Sequence, residues 1–161
     1  MRRKEREITS LSDLKEILEK ADICRIAIGG SAIPYIVPLN FGFTWENNLE
    51  IFFHCASEGR KLDLLSKNNL VGFEIDIDHE LITHNQADSK KACNWGMKYK
   101  SIIGTGKITE ISDETGKKAA LDKIMLHYGL LTEKLDYEKE IFNRTKILRL
   151  EVLEMTGKKR I

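Results

Sequence analysis

The sequence predicts a mostly β fold with flanking helices (α+β), a six-stranded antiparallel barrel with its helices packed outside. Three observations carry this. Six β-rich runs recur along the chain, and short turn signals of the hairpin kind lie between some of them. Strands and helices do not alternate regularly, which argues against a doubly wound parallel sheet. Both prolines, Pro34 and Pro38, and the glycines Gly104 and Gly106 fall inside β-rich runs, where such residues mark edges, bulges or close backbone approach.

The elements follow in order. Ser10 and Asp13 stand at capping-box spacing. Leu11, Leu14, Ile17 and Leu18 then share one helical face, and the helix ends before Ala21-Asp22. Ile23 to Ile28 is β-rich and closes on Gly29-Gly30, a turn signal. Ile33 to Phe43 holds both prolines. Proline cannot donate to a ladder, so a bulged strand with its backbone toward a ligand is expected over Pro38-Leu39-Asn40-Phe41-Gly42. An edge strand without a ligand is the competing reading. Asn47-Asn48 reads as the hairpin turn into Leu49 to His54.

A short helix is expected over 59–67. Val71, Phe73 and Ile75 alternate with Gly72, Glu74 and Asp76, the pattern of a half-buried strand. Residues 79–98 read as a long polar loop, a kind that is usually functional or mobile. Tyr99 to Ile111 is another strand. Leu121, Ile124, Met125 and Tyr128 mark one face of a longer helix, and a short helical or loop segment follows around Asp136 to Asn143. Leu148, Leu150 and Val152, alternating with Arg149 and Glu151, form the last strand.

Bulk properties bound the function. The 161 residues suit a single domain spanning 1–161, and 42% hydrophobic content is enough for a core. With 26 basic and 25 acidic residues, net charge gives no steering toward nucleic acid or an anionic membrane. The end clusters Arg2-Arg3-Lys4 and Lys158-Lys159-Arg160 read as solvated termini. No stretch approaches the ~18 apolar residues of a membrane span, and no apolar leader follows Met1. Cys24, Cys55 and Cys93 form neither a disulfide framework nor a CxxC pair. A reduced cytoplasmic protein is expected.

The stretch Ile51-Phe52-Phe53-His54-Cys55-Ala56-Ser57-Glu58-Gly59-Arg60-Lys61 says most about chemistry. A strand runs into a polar turn and then a helix start bearing two cations. Free N–H groups there favour a phosphate or similar anion. Arg60 can grip one in fork geometry, Lys61 can reach it as a point charge, and Ser57 can add a hydroxyl. A polar turn capping a surface helix is the competing reading. Yet cations at a helix start oppose the dipole, and such local conflicts tend to mark functional sites. His54 is a candidate proton donor or substrate anchor, against a strand-end histidine satisfied by backbone. Cys55 flanks the candidate cation site, which could lower its pKa, but a buried, inert thiol is the favoured reading. Trp95 and Tyr99 are candidates to pack over a ring, with interior packing an equal competitor. His79, His84 and Cys93 match no metal spacing, so no metal site is expected.

The segments Arg2 to Ile8, Pro34 to Gly42, Phe53 to Lys61 and Tyr99-Lys100-Ser101-Ile102-Ile103-Gly104-Thr105-Gly106, with Met155-Thr156-Gly157-Lys158, resemble the pyridoxamine 5′-phosphate oxidase-like flavoproteins. Within that superfamily the chain looks closest to the 5-nitroimidazole resistance (Nim) proteins. The resemblance implies a split β-barrel binding FMN at a homodimer interface, with flavin N5 as redox centre and a small electron acceptor such as a nitroaromatic. It places the flavin phosphate on Ser57, Arg60 and Lys61, and the ring along Pro38, Leu39, Asn40 and Phe41. Tyr99, Ser101 and Ile102 complete the site, and His54 serves substrate contact or proton delivery. No dedicated pyridoxal phosphate site is recognisable. A carrier or sensor of the same fold binding flavin or haem, with His54, His79 or His84 as axial ligand, is the alternative. A nucleic-acid-binding barrel is disfavoured by the balanced charge.

Overall fold

A computed structural model of the chain describes residues 2–30, 32–82, 90–130 and 135–160. Among these are eight strands: β1 (Glu7–Ile8), β2 (Cys24–Ile28), β3 (Tyr35–Leu39), β4 (Gly42–Trp45), β5 (Leu49–Ala56), β6 (Leu70–Ile82), β7 (Gly96–Ile111) and β8 (Thr145–Arg160). The helices are α1 (Leu11–Lys20), α2 (Arg60–Leu65), α3 (Glu114–His127) and α4 (Lys139–Arg144). The mostly β, antiparallel fold is as expected. Eight strands arise from six expected runs because the two-residue β1 is added and the run over 33–43 divides at Asn40-Phe41 into β3 and β4. Hydrogen bonding joins them in the order β3-β2-β6-β7-β8-β5-β4, with β1 on β8. Among the described residues no helix is long and apolar enough to cross a membrane.

The chain falls into two compact units. The first is Met1–Ala21, Ile75–Ile103 and Thr156–Ile161; the second is Asp22–Glu74 and Gly104–Met155.

In the first unit, the Ser10 hydroxyl accepts the Asp13 N–H at 3.4 Å and starts α1 where capping predicts. Ile17 and Leu18 are buried on its inner face, while Leu11, expected on the same face, is 53% exposed. β1 pairs antiparallel with β8 at Glu7↔Lys158 and Ile8↔Gly157. A Cβ on Gly157 would lie 2.5 Å from Leu14 Cδ2 and 2.9 Å from Ile8 Cβ. Glycine is therefore what lets α1 and β1 press onto β8. Two sequence expectations change here. β6 continues to Ile82, so His79 lies in a strand and not in a polar loop, and β8 continues to Arg160, so the basic run 158–160 is ladder and not a solvated tail. Pairing with neighbouring strands overrides the polar composition that suggested otherwise.

The second unit holds β2 to β5 and parts of β6, β7 and β8. β2 pairs antiparallel with β3 and β6, β4 with β5, and β5 with β8. β3 and β4 stand at opposite ends of the pairing path, yet only Asn40 and Phe41 separate them. Three Cα–Cα steps span at most about 11 Å. The two ends must therefore be brought together, and the covalent chain, not a hydrogen-bonded ladder, bridges them. This accounts for both prolines: Pro34 precedes β3, Pro38 lies in it opposite Arg25 in an unbroken register, and among the described residues β3 pairs only with β2, so it is an edge strand and not the bulged strand expected there.

Phe41, Ile26, Ile28, Ile51, Phe53 and Leu150 are fully buried in this unit. β5 buries Ile51, Phe52 and Phe53 in succession because both of its faces are covered. Phe52 belongs to a second cluster with Ala120, Leu121 and Ile124 of α3 and Ile147 of β8. α3 is capped by Asp113, whose Oδ1 accepts the Gly116 N–H at 2.7 Å. The strand glycines are explained by close approach: a Cβ on Gly104 or Gly106 would sit 2.4 Å from the carbonyl oxygen of Glu154 or Glu151.

Candidate functional site

β5 ends at Ala56, and Ser57, Glu58 and Gly59 form an exposed turn. Gly59 has φ +127° and ψ 167°, a backbone that L side chains rarely adopt. Its carbonyl accepts the N–H groups of Leu62 (2.9 Å) and Asp63 (3.2 Å), while no side chain caps α2. Among the described residues the N–H groups of Arg60 and Lys61 make no hydrogen bond. α2 spans Arg60–Leu65, shorter than the expected 59–67, so its dipole is small. Two cations and two free N–H groups supply most of the positive field instead.

The Arg60 guanidinium lies over the Tyr35 ring, 4.6 Å from its centroid. Lys61 is half-buried, and its ammonium acts on both His54 and Cys55. Burial pushes the Cys55 thiol up, and the opposing pull of Lys61 does not reverse it. Cys55 is half-buried, where the sequence reading expects a buried thiol, and its raised thiol disfavours the reactive thiolate. His54 is exposed by area but crowded, and partial desolvation, then the Lys61 charge, hold its imidazole below the ordinary value. Among the described residues no carboxylate pairs with Arg60 or Lys61. A cleft of about 550 Å³ begins at Ser57 and runs along Leu62, Leu65 and Ile108, but neither cation lines it.

Pro38 is exposed, Leu39 half-buried, Asn40 exposed and Phe41 fully buried. Asn40 and Phe41 are held from inside the unit. The Tyr128 hydroxyl donates to Asp22 O at 2.6 Å and accepts the Phe41 N–H at 3.1 Å and Asn40 Nδ2 at 3.2 Å. Asn40 Nδ2 also donates to Asp22 O at 3.3 Å. The Phe41 ring packs on His127 at 4.5 Å between centroids. This node pins the crossing between β3 and β4. The sequence pointed to Tyr128 only as a helix-face residue; its signal was an aromatic with a polar tip that needs a partner when packed. Tyr128→Phe leaves Phe41 N–H without its acceptor and is expected to cost about 1–2 kcal/mol, read as a lower urea midpoint. An unchanged midpoint contradicts the node.

Tyr99, Ser101 and Ile102 lie on β7 in the first unit. Ile102 is fully buried and Ser101 nearly so. The Lys158 ammonium lies 5.6 Å from the Tyr99 ring centroid. His79 Nε2 contacts Asp76 Oδ2 at 2.6 Å, Cys93 is exposed, and His84 lies outside the described residues. Among the described residues no three potential metal ligands cluster.

A family model described as pyridoxamine 5′-phosphate oxidase matches residues 10–159. The chain belongs to the pyridoxamine 5′-phosphate oxidase family. A solved structure from Bacteroides thetaiotaomicron, of a candidate 5-nitroimidazole antibiotic resistance protein, is 30% identical, with 95% of this chain and 86% of that one covered and a TM-score of 0.78. Two further structures share the fold at 18% identity. A flavocytochrome from Azotobacter vinelandii has a TM-score of 0.76 over 96% of this chain and 69% of that one. A FAD and haem binding protein from Mycobacterium smegmatis has 0.75 over 96% and 73%. No curated protein matches the chain. The family resemblance read from the 34–42, 53–61 and 99–106 segments therefore holds.

Proposed function

We propose that this family member is an FMN-dependent oxidoreductase that reduces an electron-poor acceptor of the nitroaromatic class, working as a homodimer with its flavin sites at the subunit interface. The observation that carries the anchor is the turn at 57–61: two cations and two free N–H groups, with no carboxylate partner among the described residues. That donor set fits a phosphate monoester. The nitroimidazole-resistance relative, at 30% identity, favours the acceptor class.

Lys61 and Arg60 would hold the phosphate, with Ser57 adding a hydroxyl donor. The strand Pro38 to Phe41 would flank the ring, pinned at Asn40 and Phe41 by Tyr128. Tyr99, Ser101 and Ile102 are flavin-contact candidates on the family resemblance alone. A bound flavin supplies two-electron redox chemistry, and the protein supplies binding, orientation and proton handling. His54 is the candidate for the last. Lys61 disfavours its charged form, so a dianion on Lys61 offsets that charge and makes the imidazolium easier to form. Anion binding would thus raise the His54 pKa and take up protons, strengthening as pH falls through the His54 range.

The test is titration of the apoprotein with FMN, followed by anaerobic reduction and addition of a nitroimidazole. Saturable FMN binding, a protein-perturbed flavin spectrum, reoxidation by the nitro compound and an upward shift of the His54 resonance pKa are expected. Absence of FMN binding removes the reading. Binding without reoxidation removes the proposed reaction and leaves a flavin carrier.

A further inference from the structure

The first unit holds a second chemical cluster, at a cleft of about 320 Å³ walled by β6, β7 and β8. That is near the lower end of small-ligand sites, roughly 300–1,000 Å³. Asp78 breaks the regularity of β6 with φ 58° and meets Lys100 at 3.2 Å. Lys100 also binds Glu16 at 3.0 Å, Glu80 meets Lys98 at 3.2 Å, and Asp76 meets His79. Each carboxylate facing the cleft or behind it therefore already has a cationic or imidazole partner.

Arg160, also lining the cleft, is placed differently. The Arg160 guanidinium lies flat against Gly96, so close that an alanine Cβ there would come within 2.3–2.4 Å of its atoms. Packing against glycine fixes the plane of the guanidinium fork. Lys158 stands over Tyr99. Among the described residues neither Arg160 nor Lys158 pairs with a carboxylate. Lys158 and, less strongly, Arg6 hold the Tyr99 phenol below its usual range, which makes its hydroxyl a better donor. Arg160 and Tyr99 thus line a small cleft whose acids Asp78 and Glu80 are already paired with Lys100 and Lys98, while Lys158 stands by the Tyr99 ring.

We propose that this cleft is an oxyanion subsite, in which Arg160 and the Tyr99 hydroxyl, backed by Lys158, take the carboxylate or phosphate of a small ligand. A rigid planar fork suits such a group better than a flexible ammonium does. The proposal goes beyond the flavin reading and shares only Tyr99 with it.

Trp95, next to Gly96, provides a fluorescence signal. Apoprotein and FMN-loaded protein are titrated separately with inorganic phosphate and with benzoate. Saturable binding of at least one anion is expected in both forms, weakened about tenfold or more by Arg160→Gln. Arg160→Lys keeps the charge and loses the fork, and is expected to fall between. Lys67→Gln, on the exposed surface of the other unit, is expected to match the wild type. Preference for phosphate or for benzoate identifies the anion class. The subsite is overturned if neither anion saturates, if Arg160→Gln binds like wild type, or if FMN displaces the anion, since the cleft would then be the flavin phosphate's own place. The apoprotein arm is read even where FMN does not bind, so failure of the flavin reading is seen separately.

Discussion

Arg60→Ala/Lys61→Ala protein is expected to lose FMN affinity by two orders of magnitude or more while keeping its stability. A hydrogen bond to a charged group contributes roughly 1.5–3 kcal/mol, so two removed together amount to about 3–6 kcal/mol, or ~10²- to 10⁴-fold. Lys61 should carry the larger part. It is half-buried and its charge reaches His54, whereas Arg60 is exposed, spread over Tyr35 and open to screening by salt. Stability should hold because neither cation makes an ion pair among the described residues, and both sit at a helix start where positive charge is unfavourable. Fluorescence titration with FMN beside a urea melt separates the two outcomes. A loss below about threefold, worth under ~1 kcal/mol, would remove the phosphate from this turn.

Gly42→Ala is expected to give the largest stability loss of any glycine-to-alanine change at this site. An alanine Cβ would stand 2.5 Å from Ile124 N and Lys123 C and 2.6 Å from Lys123 O. These are backbone atoms of α3, which cannot swing aside as a side chain can, so the helix must lift from β4. Overpacking costs typically 1–3 kcal/mol, and a clash with rigid backbone belongs at or above the top of that range. Lifting α3 also moves Tyr128 away from Asn40 and Phe41, so flavin affinity should fall with stability. Gly29→Ala, whose Cβ would meet only Asn68 Nδ2 at 3.9 Å, is the near-neutral comparison. A Gly42→Ala protein within about 0.5 kcal/mol of wild type would contradict the packing of α3 against β4.

The legible parts were local ones. Ser10 and the apolar spacing after it placed α1, Gly30 (φ 92°) closes β2, and the Asn47-Asn48 turn leads into β5 as read. Gly59 and the paired cations singled out the turn at 57–61 because its residues conflict with an ordinary helix start. The long strands were read too short. Their extensions, Ile77 to Ile82, Gly96 to Lys98 and Leu153 to Arg160, are polar or mixed, and only neighbouring strands hold them in register.

The sequence by itself determined the family, the mostly β class and the unusual residue set of the 57–61 turn, and it left the proline-bearing strand open between a bulge facing a ligand and an edge strand. Each depends on residue types within a few positions of one another. Only the tertiary structure decided that β3 and β4 lie at opposite ends of one sheet joined through Asn40-Phe41, that Tyr128 holds this joint from 88 residues away, and that Lys158 and Arg160 stand beside Tyr99 and Gly96. These are non-local contacts. The entropy of closing such long loops is offset only when whole strands pair and the core is buried together, so no short window of sequence records them.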